Sequence, residues 1–125
     1  MNVLMDSSIW IEHFKNSNEL IPDLITKNLI VTHPLVIAEI ACGTPKNKKF
    51  ILEAMKELNQ TEQATTDEVL EFIEKENIAG KGCGAIDIFL LASAIITNET
   101  AIWTLDKNLM KLAERFNVSY QPTLY

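Results

Sequence analysis

Gly82-Cys83-Gly84-Ala85-Ile86-Asp87-Ile88-Phe89-Leu90-Leu91-Ala92-Ser93-Ala94 is the stretch whose reading decides the rest of the chain. From position 85 to position 96 every residue is apolar or small, with the single exception of Asp87. A helix that is hydrophobic on every side is a buried helix, so this segment is expected in the core. An unpaired buried charge costs roughly several kcal/mol, and Asp87 therefore needs a reason to stand there. One reason is capping: an acid just after two glycines can accept from the free N–H groups of a helix start. The other is a cation at the rim of the core. Gly82 and Gly84 serve both, and the stretch by itself leaves the two open.

The surrounding chain bounds the problem. Its 125 residues suit one domain over 1–125 with a substantial core. A hydrophobic share of 47% with 22% charged residues is that of a globular protein rather than a disordered one. No apolar run reaches the length of a membrane span, and the N-terminus lacks the basic region and small-residue cleavage site of a secretory signal. A cytoplasmic setting without membrane attachment is expected. Cys42 and Cys83 form no C-x-x-C and no disulfide framework, and are expected as buried small hydrophobes. The net charge of −6 argues against a protein that coats nucleic acid, though not against an enzyme that cuts it. Lys46, Lys48 and Lys49, and again Lys107, Lys111 and Arg115, make two local basic groups, equally readable as solvated helix surface.

Working outward, residues 2–5 read as a short buried strand that ends in Asp6-Ser7-Ser8 and passes into a helix. Asp6 is a natural N-cap, and it also stands where open α/β sheets bind ligands, just past a strand's carboxyl end. Residues 16–18 break the chain, 19–27 form a second helix with Pro22 in its first turn, and 29–32 a second strand. A helix then begins at His33-Pro34 and stops at Gly43; within it Glu39 has three apolar or small residues on each side. Residues 46–58 are helical, with Phe50, Ile51, Met55 and Leu58 at helical spacing, and 60–64 hold a weak strand. Thr65 and Glu68 have capping-box spacing and open a helix to about 77, with Val69, Leu70, Phe72 and Ile73 as its apolar stripe. After the glycine-containing loop 78–84 and the apolar helix, residues 101–103 form a third strand. Asp106 starts a last helix over 107–116, with Leu109, Leu112, Ala113 and Phe116 inward; 118–120 suit a final strand and 122–125 a tail. Strands alternating with helices imply a parallel sheet with helices on both faces.

Two acids, Asp6 and Asp106, thus stand past strand ends, and two more, Glu39 and Asp87, sit inside apolar helices. Each has an ordinary explanation, but gathered at one sheet edge they would repel one another without a cation. Oxygen-only ligands favour Mg²⁺ or Mn²⁺ over zinc, and His13 and His33 have no partners at zinc-ligand spacing. No P-loop, dinucleotide fingerprint or Gly-x-Ser-x-Gly elbow is present, and Ser7 and Ser8 lack an evident His base.

The four segments 5–12, 36–43, 82–94 and 104–109 resemble, in order, the four motif blocks of PIN-domain proteins, and the nearest group is the VapC-like toxins of prokaryotic toxin–antitoxin pairs. The resemblance implies a PIN-like three-layer α/β sandwich, a central mostly parallel sheet flanked by helices. It implies a Mg²⁺- or Mn²⁺-dependent endoribonuclease that hydrolyses RNA phosphodiesters with a metal-activated water. Carried over by position, Asp6, Glu39, Asp87 and Asp106 match the catalytic, metal-holding quartet, with Thr104 and Ser7 as hydroxyls that support it. A homodimer and a cognate antitoxin whose C-terminal segment covers the site are further implications, with Ile9, Trp10, Phe14, Leu20 and Leu24 either surface for them or ordinary core. The single arginine and the acidic balance depart from basic relatives and leave the RNA-binding surface undefined. Two competing readings are a catalytically silent PIN-like binding module and a phosphatase phosphorylated on Asp6. The second wants another acid two residues on, where this chain has Ser8.

Overall fold

A computed structural model describes residues 1–122. In chain order the elements are β1 (Asn2–Met5), α1 (Ser7–Asn16), α2 (Leu20–Thr26), β2 (Ile30–Thr32), α3 (Pro34–Cys42), α4 (Lys48–Lys56), β3 (Asn59–Gln60), α5 (Thr66–Lys75), α6 (Ala85–Ile96), β4 (Thr100–Trp103) and α7 (Lys107–Arg115). The strands form one parallel sheet in the order β3-β2-β1-β4. Consecutive strand residues point to opposite faces, yet Val3, Leu4 and Met5 are all buried, as are Ile30 to Thr32 and Thr100 to Trp103. Both faces are therefore covered, as parallel sheets require. Helices α1, α3 and α4 pack together, and α6 joins α5, α7 and β4.

Strand order positions the site. The chain runs outward from β1 through β2 to β3, then crosses to lay β4 on the other side of β1. The direction of winding thus reverses between β1 and β4, and in open parallel sheets the carboxyl ends at such a reversal form a ligand crevice. The register pairs Met5 with Trp103, so the next residues on each strand, Asp6 and Thr104, leave the sheet side by side. The Asp6 N–H donates to Trp103 O at 3.1 Å and extends the ladder to that point.

Helix starts follow local chemistry. Asp6 and Asp106 cap α1 and α7, and the His33 ring accepts from the Leu35 N–H to cap α3. Thr65 and Glu68 form a complete capping box on α5. Its backbone and side-chain bonds with Thr65 hold the Glu68 carboxyl below its usual range.

Several expectations need correction. Of the apolar residues at helical spacing, Phe50 and Leu70 are 73% and 60% exposed, while Met55 and Val69 carry the buried contact on their helices. Apolar spacing on a short helix admits more than one face, and packing chose the other. α6 is not buried to its end, because Ile95 and Ile96 emerge into solvent past the sheet edge. Cys42 is exposed at the end of α3 and Cys83 is half-buried, so neither is a core residue. The weak strand over 60–64 shrinks to Asn59–Gln60, and the final strand to a single bridge between Ile102 and Ser119. The expected tail lies, beyond Pro122, outside the described residues. Ile9, Trp10 and Leu24 are core.

Candidate active site

Asp6 is the most constrained carboxylate of the molecule, 5% exposed at the end of the central strand. Oδ1 accepts from the Ser8 hydroxyl at 2.5 Å and from the Ile9 N–H at 3.3 Å, and Oδ2 accepts from the Thr104 hydroxyl. Three donors hold this buried carboxyl in one orientation, as outer hydrogen-bond partners orient a metal ligand. Asp6 is a helix cap as well. The cap bond from the Ile9 N–H uses Oδ1 alone.

Thr104 couples the two strand ends. Besides donating to Asp6, its Oγ1 accepts from the Asp106 N–H at 3.0 Å, and Asp106 Oδ1 accepts from the Leu109 N–H at 2.9 Å. Ser8 adds a second tie, accepting from the Leu105 N–H at 3.0 Å. Ser8 was set aside in the sequence as a poor nucleophile. The available signal was its place two residues after a strand-end acid, where a first-turn hydroxyl reaches back to that acid.

Glu39 comes from α3, which packs against α1. It is half-buried, and its Oε1 accepts from the Ser7 hydroxyl at 3.1 Å. Ser7 thus bridges the strand that carries Asp6 and the helix that carries Glu39. An open groove of about 610 Å³ begins beside Glu39, with Ile11, Phe14 and Ile51 in its apolar wall and Lys46 at its rim.

Asp87 stands in the first turn of α6, whose N-cap is Gly84. Its carboxyl is pushed above the ordinary range, first by burial and then by the negative charges of Asp106, Asp6 and Glu39; a bond from the Gly84 backbone opposes the shift. The charges of Asp6, Glu39 and Asp106, up to a hundred positions apart in sequence, thus all bear on Asp87. The capping alternative survives in part, since the Gly84 bond is that of a helix start. The neighbouring Cys83 thiol is pushed up to about 11 by burial and by Asp87 and Asp106, which keeps it a neutral thiol and not a ligand.

The donor set is all oxygen, which suits Mg²⁺ or Mn²⁺. Among the described residues no three His, Cys, Asp or Glu side chains are placed so that together they could hold a metal ion. The acids bear on the charge of Asp87, while their side chains as placed do not converge on one point. Mg²⁺ typically takes one or two carboxylates and retains waters, so it does not require three acids in contact. The histidines stay outside this chemistry. His13 Nδ1 accepts from the Asn18 N–H at 2.9 Å, and His33 Nδ1 from the Leu35 N–H at 3.0 Å. Burial also lowers the His33 pKa, so that ring stays neutral.

The PIN domain family model matches residues 3–115 of the chain. Two relatives carry the name "Ribonuclease VapC32", one from Mycobacterium tuberculosis strain CDC 1551 / Oshkosh and one from strain ATCC 25618 / H37Rv. Each is 36% identical over 107 residues, which cover 86% of this chain and 86% of the relative.

Proposed function

From the premise that this chain belongs to the PIN-domain family, we propose that it is a VapC-type toxin endoribonuclease whose carboxylates Asp6, Glu39, Asp87 and Asp106 hold Mg²⁺ or Mn²⁺. One observation carries the site assignment: at the strand-order reversal the Thr104 hydroxyl donates to Asp6 and accepts from the Asp106 N–H, beside Asp87, on which the charges of the other three acids bear. That arrangement opposes folding of the metal-free chain and acquires a purpose once a cation offsets it.

When bound, such a cation activates a water for attack on phosphorus and offsets charge on the phosphate oxygens. The chain supplies the frame. Asp6, fixed by Thr104, Ser8 and the Ile9 N–H, sets the position of the first ligand. Ser7 steadies Glu39 on the α3 side, and the Leu109 N–H steadies Asp106 on the α7 side. Asp87 rides on the best-packed helix, with Leu90, Leu91 and Ala94 locked in the core behind it, so its carboxylate cannot retreat from the other three. A side-chain nucleophile is not needed. The phosphatase reading wants a second acid two residues after Asp6; that position is Ser8, whose hydroxyl donates to Asp6 Oδ1.

RNA as the substrate follows the relatives' name. The proposal includes a cognate antitoxin, for which the apolar groove beside Glu39 offers a bed. It also includes a homodimer, whose surface cannot be the buried Ile9, Trp10 and Leu24. The test is cleavage of a single-stranded RNA by the purified protein with Mg²⁺, with chelator, and by Asp6→Asn and Asp87→Asn. Cleavage that needs Mg²⁺ and is lost in both variants is expected. Wild-type rates in either variant contradict the assignment, and Mg²⁺ binding without cleavage of any RNA favours the silent module.

A further inference from the structure

An acidic protein that cuts a polyanion must meet it somewhere with positive charge, and α7 offers the place. Lys107, Lys111 and Arg115 recur every fourth residue along it, rising about 6 Å per step, while Leu109, Leu112 and Ala113 face the core. The row starts directly beside Asp106, the cap of this helix. Toward its far end a cleft of about 520 Å³ opens between α7 and the loop before α6, with Lys81, Asn108, Lys111 and Arg115 on its walls.

The charges in this cleft are not equivalent. Arg115 is engaged: its Nη2 donates to the Glu76 carbonyl at 2.8 Å, lies 3.5 Å from Glu76 Oε1, and its guanidinium sits over the Phe116 ring at 4.8 Å. That pairing offsets Glu76, the acid in the cleft wall. Lys81 and Lys111 have no ion-pair partner among the described residues. Glu114, the remaining acid of α7, does not line the cleft.

The loop that carries Lys81 is docked rather than loose. Gly82 adopts φ +82°, and a Cβ on it would meet Asn108 Cγ at 2.9 Å. The close approach that places Lys81 opposite Lys111 therefore requires glycine at 82. The same loop leads within a few residues to Asp87, and Asn108, which Gly82 packs against, follows two residues after Asp106, so the cleft adjoins two of the acids along the chain. The other basic group is a weaker candidate. Lys46 borders the apolar groove, and Lys48 and Lys49 sit in the first turn of α4 on a separate part of the surface.

We propose that Lys81 and Lys111, with Asn108 between them, bind backbone phosphates of the RNA strand that flanks the scissile bond. The proposal rests on the reading of the acidic site as an RNA phosphodiesterase and adds the direction from which the strand arrives: along α7. Lysine on phosphate positions the strand without reading its sequence.

The test uses Lys81→Gln, Lys111→Gln and the double variant, which keep most of each side-chain stem. Binding of a fluorescent single-stranded oligoribonucleotide is followed by anisotropy across a salt series in the Asp87→Asn background, and kcat and KM are measured in the otherwise wild-type chain. The double variant is expected to raise Kd and KM roughly tenfold with kcat near wild type. Its slope of log affinity against log salt should be smaller by about 1.4, from two lost contacts to a single strand. A dinucleotide substrate without flanking phosphates should be cut equally by both forms, which a merely structural role for the lysines would not predict. Lys48→Gln/Lys49→Gln serves as the control and should leave KM unchanged. An unchanged KM and salt slope in the double variant, or an equal loss on dinucleotide and long RNA, overturns the proposal. Wild-type protein that binds RNA through these lysines yet never cuts it overturns the reading of the acidic site and leaves this one standing.

Discussion

Thr104→Val is the most informative single substitution, because it keeps the shape of a buried side chain and deletes only its hydroxyl. Thr104 is 3% exposed, so no water takes the hydroxyl's place. Two bonds disappear: the donation to Asp6 Oδ2, and the acceptance from the Asp106 N–H. The first is made to a charged acceptor and is worth about 1.5–3 kcal/mol. The Asp106 N–H loses less, since that residue is exposed and water can satisfy it. At roughly 4 °C per kcal/mol for a domain of this size, Tm should fall by about 8 °C. The functional effect should be larger. Asp6 would keep Ser8 and the Ile9 N–H on Oδ1 but lose the bond that orients Oδ2. Removing an outer partner of this kind costs about 10–100-fold in metal affinity or activity. The assay is RNA cleavage titrated with Mg²⁺ beside a thermal melt. Half-maximal cleavage should move to about tenfold higher Mg²⁺ or beyond, and Thr104→Ser should restore it while losing only a methyl's worth of stability. A Thr104→Val protein that is destabilised as expected yet responds to Mg²⁺ as wild type does would refute the idea that this hydroxyl orients Asp6.

Asp87→Asn should abolish cleavage and at the same time stabilise the metal-free protein at neutral pH. The folded-state pKa of Asp87 is raised, so its ionisation opposes folding: stability is full below the unfolded carboxylate range and declines as pH rises through the folded value. The gain in Tm over wild type, measured with chelator, should therefore be present at pH 7 and fade near pH 3. Ser7→Ala removes the one bond to Glu39 that crosses from α1 to α3, and should weaken the Mg²⁺ response less than Thr104→Val, because the bond is only partly buried. Thr65→Ala breaks the capping box of α5, far along the chain from any site acid, and should lower Tm by roughly 4 °C with unchanged cleavage per folded molecule.

Candidate site residues that coincide with a local signal were legible in the sequence. Asp6 and Asp106 follow apolar strands and precede helices, and the parallel register then forces Asp6 against Thr104. Asp87 and Glu39 were visible as carboxylates in apolar runs, although Glu39 is half-buried beside an exposed Ala38 rather than enclosed. What was hidden depends on tertiary choice. Nothing in the spacing of Phe50, Ile51 and Met55 says which of them turns outward, and the exposure of Phe50 follows from how α4 packs on α3. Cys42 looked like core because its neighbours are apolar, but its position at the last turn of α3 faces solvent. Ser8 was missed because its partners are Asp6 and the Leu105 N–H, and the second lies nearly a hundred residues away. Strand ends were also blurred: Asn59–Gln60 and Ser119 pair only because β2 and β4 offer edges to them.

The claim that four carboxylates form one divalent-cation site is tested most directly by Mn²⁺ binding, read by electron paramagnetic resonance of the free ion, for wild type and for Asp87→Asn. The account predicts saturable binding to the wild-type protein, competed by Mg²⁺, and at least tenfold weaker binding to Asp87→Asn in a protein that melts no lower than wild type. Equal Mn²⁺ affinity in the two proteins, or no saturable binding to the wild type, would contradict it.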